Sequence, residues 1–581
     1  MRRIMERYVA NTNRFDKTST ALCCLLFFLA LAVRFYAADY GYFHGDERIN
    51  EAAKVLAGQL VPGQHFYPPF INYLNAVALG GLFAVGLVAD WWANPGAFRA
   101  QYFADPTVFY VTARLVTAIT GALLAPLFYL IARALQLDRA RSFAVAMLAV
   151  LFPLGVFMAH IAKGDTGLAT ALVAVIWALI MRLQTSSPRR WDIILGLCVV
   201  LTLSFKHSSV FILFPLALGL VVLLIASEGA GRAFKSFGRA LLVIVILWPV
   251  MNIGLLLDLQ NFIDYQKIQA VMSVQTGTDG PLSGPLTLLW RGTEPIFGMN
   301  PVMTALALLT PVLLLWRGSD LPHKGALLVV WLSVCLGTLA IAVMTGPRQP
   351  EHLWIANFAA FLVLNGVVLA DLSRADNPNS RRLAGGLWAL SLAFGLYGTF
   401  ETLRQASATP IQQSVSTYLA DTYGDRKILT SMALTLPQTK EAQGIELTRM
   451  ARLAQKYSVQ MPEMAEERLI RTSDPDAVFY VNMPGVMFGL EGVDEDAIDY
   501  EVKAHAWPLQ KEEWQLSYWL DQGFTLFAVQ DFTQYAYTSD PKLRRDFFQT
   551  MERDCKRVQS FAPVKTLFLE REVVVFDCAP G

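Results

Sequence analysis

Charged residues are scarce in this sequence, and the scarcity excludes most classes of soluble protein. Of the 581 residues, 16% are Asp, Glu, Lys or Arg, whereas soluble globular proteins carry about 25%. The net charge is only +1, which gives no electrostatic reason to expect nucleic-acid binding. Apolar residues make up 54% of the chain and the mean hydropathy is +0.40. This composition indicates a polytopic membrane protein.

Cysteines and familiar catalytic motifs are also scarce. Four of the six cysteines lie in apolar runs, where they are interpreted as packing residues, and Cys555 and Cys578 share the polar C-terminal part. A disulfide between these two is one outcome if that part is extracytoplasmic.

There is no Walker loop, dinucleotide fingerprint, nucleophile elbow or HExxH sequence. Metal-ligating residues show no motif spacing, so a divalent cation is left open.

What the chain has in abundance is apolar runs of membrane-spanning length. The first follows a segment, residues 1–17, that carries five Arg or Lys and two acids, which predicts a cytoplasmic N-terminal flank. No A-x-A-like cleavage site follows this run, so it is interpreted as a retained span. The predicted spans lie at about 20–39, 109–135, 143–161, 166–182, 191–205, 208–226, 238–256, 301–316, 325–345, 353–371 and 383–400.

One further apolar run, residues 70–92, is ambiguous, and charge decides its interpretation. Five loops rich in Arg and Lys all become cytoplasmic only if this run does not cross the membrane. It begins at Pro68-Pro69 and ends at Trp91-Trp92, which favours a helix lying on or re-entering the outer leaflet. The prediction is 11 spans with the C-terminus outside. In the alternative topology, residues 70–92 cross and another run does not.

With this topology, the polar clusters fall on the outer side. They are the loop around Asp46, His160 to Asp165, Lys206-His207, the loop 257–300 and Pro347 to His352. The inner loops contain little beyond scattered Arg and Lys. Ionisable groups at the edge of a membrane usually face a cavity or a polar ligand. The asymmetry therefore predicts an extracytoplasmic active site.

The acidic pair Asp46-Glu47, followed by Arg48, is the first candidate for chemistry. A carboxylate at a membrane surface acts as a general base or holds a metal ion. Adjacent residues on extended backbone point in opposite directions. We therefore expect one to face the reacting centre and the other to orient the loop by pairing with Arg48. In the alternative interpretation, Asp46 simply caps a helix that begins near Glu47.

The other outer turns contribute charged side chains of both signs. Lys163 suits a phosphate oxygen, and Asp165 suits sugar hydroxyls or a cation, unless Asp165 only caps the next helix. Lys206 is either a ligand of the substrate or a snorkelling residue of a short hairpin. Arg348 lies between two prolines, where a stiff guanidinium would bind a phosphate leaving group or anchor a lipid headgroup.

The composition changes near residue 405. Residues 405–581 are charged and mixed, with helical patterns at 441–457 and 511–521. Strand-like runs appear at 477–481, 524–529 and 572–576. The sequence therefore predicts a membrane domain over 1–404 and an extracytoplasmic α/β domain over 405–581.

These residues resemble the membrane glycosyltransferases of the GT-C fold, specifically the relatives of protein O-mannosyltransferases and of lipid A aminoarabinose transferases. The resemblance covers about two thirds of the chain. Its most specific part is the acidic pair after the first span. The matching positions are Asp46-Glu47, Ala52-Ala53, Gly58, Pro68-Pro69, Tyr73-Leu74, Arg114, His160 to Asp165, Lys206 and Pro347-Arg348.

The resemblance implies an inverting transferase that moves a sugar from a polyprenyl-phosphate donor to an extracytoplasmic protein, lipid or cell-envelope glycan. It implies Asp46 as the base. Substrate-binding roles follow for Glu47, Arg48, His160, Lys163, Asp165, Lys206 and Arg348. The partners would be the lipid-linked donor, the acceptor and membrane lipids, with no nucleic acid, and the location would be the cell membrane.

Two departures from the family pattern stand out. The late loop reads Pro-Arg-Gln-Pro-Glu-His where Arg-Tyr is commoner, and Phe66-Tyr67 replaces the Lys that aminoarabinose transferases carry before the surface helix.

Two other functions remain open, a transporter or flippase of a lipid-linked sugar and a non-catalytic assembly protein. A transporter would place ionisable residues along a path through the bilayer.

Overall fold

A computed structural model shows a helical region followed by a smaller region that contains a sheet. It describes residues 16–41, 46–63, 65, 67–185, 187–275, 300–315, 321–345, 351–432, 434–446, 448, 477–482, 511–537 and 542–579. The chain forms two compact units. The first comprises residues 1–39, 43–99 and 106–404, and the second comprises 40–42, 100–105 and 405–581.

Helices account for nearly all of the described structure as far as residue 407. Their bounds are α1 Lys17–Phe35, α2 Ile49–Leu56, α3 Phe70–Val88, α4 Pro95–Ala104, α5 Thr107–Ala122, α6 Leu124–Ala134, α7 Arg139–Val150, α8 Pro153–Ala159, α9 Asp165–Gln184, α10 Pro188–Phe205, α11 Val210–Glu228, α12 Ala230–Met251, α13 Ile253–Leu257, α14 Leu259–Gln275, α15 Pro301–Leu315, α16 Lys324–Thr345, α17 Ile355–Leu372 and α18 Pro378–Ser407. Single 3-10 turns, His207–Ser209 and Glu351–Leu353, precede α11 and α17.

The predicted spans correspond to helices throughout this region. Among the described residues, nine helices are long and apolar enough to cross a membrane, or ten if α7 and α8 form one bent span. Two predicted spans fall short of this test, because α10 has three charged residues among its first five and α15 has only 15 residues. Helix α3, predicted to lie on the surface, passes it by length and hydropathy. The predicted polytopic helical architecture is confirmed.

One predicted span is broken. Residues 143–161 form α7 and α8, which meet at an angle of 51°. Pro153 is the first residue of α8, and proline both lacks the N–H that would continue α7 and disfavours helical backbone at the preceding residue. The break directs the end of α8 into the turn that carries Lys163.

The centre of the first unit is built on α9 and α17, whose side chains are mostly buried. Gly167 lets α9 approach α10 closely, since a Cβ there would lie 2.3 Å from the Phe205 ring. The Thr120 and Thr166 hydroxyls are 3.0 Å apart, and Thr170 donates to the Thr120 carbonyl at 2.7 Å. These bonds join α5 to α9, and thereby fix the N-terminal end of α9.

Three of the basic loops lie together at one end of the helices. Gln184 Nε2 donates to the Ala134 carbonyl at 2.8 Å, which joins the end of α9 to the end of α6. Arg141 Nε donates to Ser373 Oγ at 2.9 Å, which joins the start of α7 to the end of α17. The Asp16 carboxylate at the start of α1 accepts from Arg139. Asp165 lies at the other end of α9.

The second unit contains a five-stranded mixed sheet. Its described elements are α19 Ile411–Tyr423, β1 Lys427–Thr430, β2 Tyr480–Asn482, a 3-10 turn Lys511–Trp514, α20 Leu516–Leu520, β3 Phe524–Gln530, α21 Phe532–Tyr537, α22 Lys542–Asp554, β4 Lys556–Phe561, a 3-10 turn Thr566–Phe568 and β5 Val573–Asp577. The strand order is β2-β1-β3-β5-β4. Strand β1 runs parallel to β2 and β3, and β5 runs antiparallel to β3 and β4.

Alternate residues of the strands face the two sides of the sheet, as a pleated backbone requires. Phe527 and Val574 pack with residues of α20, α21 and α22 on one face, and Leu526 and Val575 pack with α19 on the other. The predicted small α/β region is therefore confirmed. Two strands escaped prediction: β1 has only four residues, and β4 is an edge strand whose mostly exposed side chains show no apolar alternation.

The helical patterns and the cysteine pair have different outcomes. The pattern at 511–521 is divided into a 3-10 turn and α20, while most of the pattern at 441–457 lies outside the described residues. Cys555 and Cys578 form a disulfide, with their Cα atoms 4.4 Å apart. The bond joins the end of α22 to the end of β5, so it ties an edge of the sheet to its interior.

Candidate functional site

Four charged side chains from three separate loops form a continuous line in the first unit. Lys163 Nζ donates to Asp46 Oδ2 at 2.6 Å and lies 3.8 Å from Asp165 Oδ2. Lys206 Nζ donates to Asp165 Oδ1 at 2.8 Å. The line therefore alternates in sign, in the order Asp46, Lys163, Asp165 and Lys206. All four residues were candidates in the sequence, and the fold brings them together.

The local structure explains how each side chain reaches the line. Asp46 precedes α2, and Lys163 and Asp165 occupy the turn between α8 and α9. Lys206 interrupts the helical path between α10 and the turn before α11, with extended backbone. Asp165 is also the first residue of α9, where a carboxylate is favoured by the helix dipole. The N-cap of α9 is Gly164, so Asp165 stands one position after the cap that the sequence suggested for it.

Exposure separates Asp46 from the other members. The Lys163 and Asp165 side chains are 3% and 2% exposed, whereas that of Asp46 is 34% exposed. Buried charges are maintained only when they are paired and hydrogen-bonded. Asp46 is thus the carboxylate of the line that an incoming molecule can reach, and the residues behind it hold it in place.

Opposite charges set the ionisation of the two lysines. Burial disfavours the charged form of Lys163, but the carboxylates of Asp165 and Asp46 outweigh burial and raise the pKa of its ammonium. Burial lowers the pKa of Lys206, against the opposing effect of Asp165. Lys163 is therefore the more firmly protonated of the two.

Tyr67 covers this group of cations, and the sequence gave it no role. Its ring centre lies 5.2 Å from Lys163 Nζ, 5.9 Å from Lys206 Nζ and 5.9 Å from Arg48 Cζ. Burial raises the pKa of its phenol, so the side chain stays neutral and retains an O–H donor. An aromatic ring within about 6 Å of a cation is attracted to it. The sequence marked this position only as a departure from the family pattern, because Phe66-Tyr67 stands where aminoarabinose transferases carry a Lys.

Glu47 pairs with an arginine of α5. Its carboxylate accepts from Arg114 Nε at 2.8 Å and Nη2 at 2.7 Å, and from the Ala162 N–H at 2.8 Å. Arg48 instead donates to Glu51 at 2.8 Å. The sequence left open which acid of the Asp46-Glu47 pair would bind Arg48, and Arg48 binds Glu51 because α2 places that carboxylate one turn later. Glu47 joins the first loop to the turn that carries Lys163.

His160 occupies a buried structural position, which does not agree with its predicted contact with substrate. Its Nδ1 lies 2.8 Å from the Val156 carbonyl oxygen, and its Nε2 lies 2.7 Å from that of Tyr36. The ring is fully buried. His160 therefore connects α8 to the end of α1.

The late loop is only partly described. Arg348, the predicted phosphate clamp, lies outside the described residues. His352, four residues later, is close enough to the line for its charge to interact with Lys206, Asp165, Lys163 and Asp46. Burial, and next the Lys206 charge, lower its pKa to about 3. His352 is thus a neutral imidazole at neutral pH, and the sequence did not single it out as a ligand.

Metal ligands were left open by the sequence. Within the described part of the chain, no group of three or more His, Cys, Asp or Glu side chains could hold a metal ion.

Comparison with solved structures gives matches of low identity. ArnT from Cupriavidus metallidurans bound to undecaprenyl phosphate is 15% identical, with 97% of this chain and 98% of that chain covered and a TM-score of 0.42. The oligosaccharyltransferase AglB from Archaeoglobus fulgidus is 11% identical, with 92% and 72% covered and a TM-score of 0.43. The S. cerevisiae protein O-mannosyltransferase Pmt1-Pmt2 complex bound to the sugar donor is 16% identical, with a TM-score of 0.32. In that comparison 44% of this chain is covered, and the chain spans only 36% of that one.

Comparison at the level of sequence finds similarity over a stretch of the chain that includes part of the site. A search of curated proteins finds no match. Residues 109–253 match the family model described as dolichyl-phosphate-mannose-protein mannosyltransferase. This stretch is about a quarter of the chain and contains Arg114, Lys163, Asp165 and Lys206. The family match confirms, over residues 109–253, the resemblance to membrane glycosyltransferases that the sequence motifs indicated.

Proposed function

We propose that this protein is an inverting glycosyltransferase that takes a sugar from a polyprenyl-phosphate donor. The acceptor is a protein, lipid or cell-envelope glycan on the outer side of the membrane. One observation carries the proposal: three separate loops bring Asp46, Lys163, Asp165 and Lys206 into one line of hydrogen bonds and ion pairs. Such a set offers one reachable base beside two cations.

Asp46 is suited to act as the general base. As the acceptor hydroxyl or amine attacks the anomeric carbon, its proton passes to Asp46 Oδ1 or Oδ2. The bond between the anomeric carbon and the phosphate oxygen breaks, and the phosphate leaves with that electron pair. A single displacement of this kind inverts the anomeric carbon. A positioned base of this type contributes about 10²- to 10⁴-fold to a rate.

The cations are suited to stabilise the departing phosphate. Lys163, Lys206 and Arg48 all lie around the Tyr67 ring, within 6 Å of its centre. Preorganised cations aimed at a developing negative charge stabilise the transition state, and do so more strongly where water is excluded. Arg348 remains a further candidate from the sequence.

The other predicted residues are assigned positioning roles. Asp165 holds both lysine ammonium groups, and its burial places it behind them rather than in the path of the sugar. Glu47 ties the first loop to Ala162, and His160 ties α8 to Tyr36. These residues therefore act on the substrate through Asp46 and Lys163.

The arrangement of the helix ends supports an extracytoplasmic site. The site lies at the N-terminal end of α9, and the basic loops joined by Gln184 and Arg141 lie at the other end. Loops rich in Lys and Arg are cytoplasmic by the positive-inside rule. The site then faces outward. The Cys555–Cys578 disulfide likewise supports an oxidising, extracytoplasmic location for the second unit.

The same contacts support a surface position for α3. Tyr67, just before α3, lies at Lys163, and Arg114, in α5, binds Glu47. The chain is therefore at the site both before and after α3. Helix α4, the one described helix between α3 and α5, has ten residues. It is about 15 Å long and too short to return across a hydrocarbon core of about 30 Å. Helix α3 then begins and ends on the outer side.

The distribution of charges disfavours transport. The paired charges of the described site lie at one end of the helices, whereas a transporter needs polar groups along its path.

The proposed enzyme is tested with membranes that contain the full chain and a radiolabelled polyprenyl-phosphate sugar. We expect label in protein, glycolipid or polysaccharide, and a loss of about 10²-fold or more in Asp46→Asn. Full transfer by Asp46→Asn would contradict the assigned base.

A further inference from the structure

The described part of the site brings together equal numbers of cations and carboxylates. Four cations, Arg48, Arg114, Lys163 and Lys206, contact four carboxylates, those of Asp46, Glu47, Glu51 and Asp165. A phosphodiester donor brings an additional negative charge. A buried charge without a partner is strongly disfavoured. Binding of the donor therefore favours the transfer of a cation from one of the existing pairs to the phosphate.

The pairs differ in how easily they can release their cation. The Arg114–Glu47 pair is 1% and 0% exposed, and Lys206 is bound to Asp165, which is 2% exposed. Loss of Arg114 would remove the ion-pair partner of the fully buried Glu47 carboxylate, which is strongly disfavoured, and loss of Lys206 would remove the ammonium that donates to Asp165. Glu51, the partner of Arg48, is also largely buried and accepts from Asn72. Asp46 has the most exposed carboxylate of the set, so water can solvate it when Lys163 leaves.

Lys163 is also well placed to be transferred. Its ammonium lies between Asp46 and Asp165 and faces the ring of Tyr67, which borders Lys206 and Arg48. Movement of Nζ toward a phosphate bound beside Lys206 leaves Lys163 near Asp165. Tyr67 and His352, which also face this region, are uncharged at neutral pH. No other charge of the described site has to move.

We propose that the donor phosphate takes the Lys163 ammonium from Asp46, so that binding of the donor converts Asp46 into a stronger base. This inference rests on the proposed function. A cation within about 4–6 Å favours the ionised form of a carboxylate, and a nearby anion disfavours it. The exchange replaces the cation with an anion beside Asp46. The base is thus weak in the resting enzyme and activated when the donor is in place.

Proton uptake measures this exchange directly. The full-length protein is titrated at pH 5 with a polyprenyl methyl phosphate, by calorimetry in two buffers of different ionisation enthalpy. This diester keeps a single charge over the whole pH range, so protons taken up on binding enter the protein. We expect uptake by the wild-type protein and its loss in Asp46→Asn, which retains an oxygen that accepts from Lys163.

Matched controls separate Asp46 from other carboxylates. Asp264 forms a salt bridge with Lys267 at 2.8 Å on the exposed face of α14, and Asp264→Asn should bind the diester with unchanged uptake. Lys163→Arg should retain uptake, because an arginine can move in the same way. Lys163→Gln should reduce it, since no cation is released.

The outcomes distinguish the two proposals. Binding of the diester without proton uptake by the wild-type protein would overturn the exchange and leave the proposed function standing. Equal uptake by wild type and Asp46→Asn would do the same, because the protons would then enter another group. A wild-type protein that binds neither the diester nor a polyprenyl-phosphate sugar would overturn the proposed function itself.

Discussion

Glu47 and Arg114 form a doubly hydrogen-bonded ion pair in which both side chains are almost completely buried. The pair joins the first loop to α5, and the same carboxylate accepts from the Ala162 N–H beside Lys163. Two of the three loops of the site thus meet at Glu47. Because Asp46 is its neighbour in the chain, this pair fixes where the proposed base lies.

Breaking the Glu47–Arg114 pair should both destabilise the first unit and stop transfer. Removal of one partner of a buried pair costs about 3–5 kcal/mol, since the other charge is left unpaired. We expect Arg114→Met and Glu47→Gln each to lower the free energy of unfolding in detergent by an amount in this range. The double variant should be less destabilised than the sum of the two.

The exposed pair Arg404–Glu401 provides the matched comparison for this experiment. It has similar distances, with its two side chains 49% and 29% exposed, and exposed pairs contribute about 0–1 kcal/mol. Arg404→Met should therefore change stability little. Equal effects of Arg404→Met and Arg114→Met would show that burial of the Glu47 pair has no special importance.

Lys206 should matter more for turnover than for folding. Lys206→Met removes one cation from the phosphate side, and removal of one such stabilising group typically lowers kcat by about 10²- to 10³-fold. Asp165 keeps Lys163 nearby, so the protein should still fold. Steady-state kinetics with a polyprenyl-phosphate sugar measure the loss. Lys206→Arg should recover part of the rate, and an unchanged kcat in Lys206→Met would remove Lys206 from the mechanism.

His352 should make the stability of the first unit depend on acidity. Burial, and then Lys206, lower its pKa from 6.5 to about 3 in the folded protein. The unfolded chain therefore binds more protons than the folded one between these pH values. The stabilising contribution is fully present above pH 6.5 and decreases as the pH falls toward 3.

The measurement is thermal unfolding of the solubilised protein across that range. His352→Gln, which does not titrate, should show a shallower loss of stability between pH 6.5 and 4 than the wild type. His323 provides a control, because it too is partly buried and burial lowers its pKa, but it does not interact with Lys163 or Asp165. An identical pH dependence in His352→Gln and wild type would contradict the neutral imidazole.

The cysteines should divide into four that react with a thiol reagent and two that do not. Cys23, Cys24, Cys198 and Cys335 are free, and Cys555 is bonded to Cys578. Alkylation of the denatured, unreduced protein should add four labels by mass, and reduction should raise the number to six. Six labels without reduction would show that the bond does not form.

Loss of this disulfide should weaken the second unit. The closed loop spans a sequence separation of 23 residues, for which chain-entropy arguments give about 3 kcal/mol. Cys555→Ser together with Cys578→Ser should therefore unfold this unit at lower denaturant concentration. Protease resistance of residues 405–581 measures the effect, and unchanged resistance would argue against a stabilising role.

Periodicity and composition could be read from the chain without its fold. The apolar runs located the helices because a membrane span needs about twenty consecutive apolar residues, whatever its neighbours are. The distribution of Arg and Lys placed Asp46, Lys163, Asp165 and Lys206 on one side, and the structure brings these residues into contact. Short segments such as β1 and β4 escaped, since four residues or one exposed face carry little pattern.

The choice of partners was decided only by the tertiary structure. One acid of the Asp46-Glu47 pair was expected to bind the neighbouring Arg48, whereas Glu47 binds Arg114, which is 67 residues away. His160 was predicted to bind substrate, but the packing of α8 against the end of α1 places its two ring nitrogens against carbonyl oxygens. Tyr67 has no charge, so the sequence gave no reason to assign it a role, yet its ring centre lies within 6 Å of three cations. Local sequence fixes which groups lie in a loop, because helix and span lengths are short-range properties. Which groups meet depends on how distant helices pack.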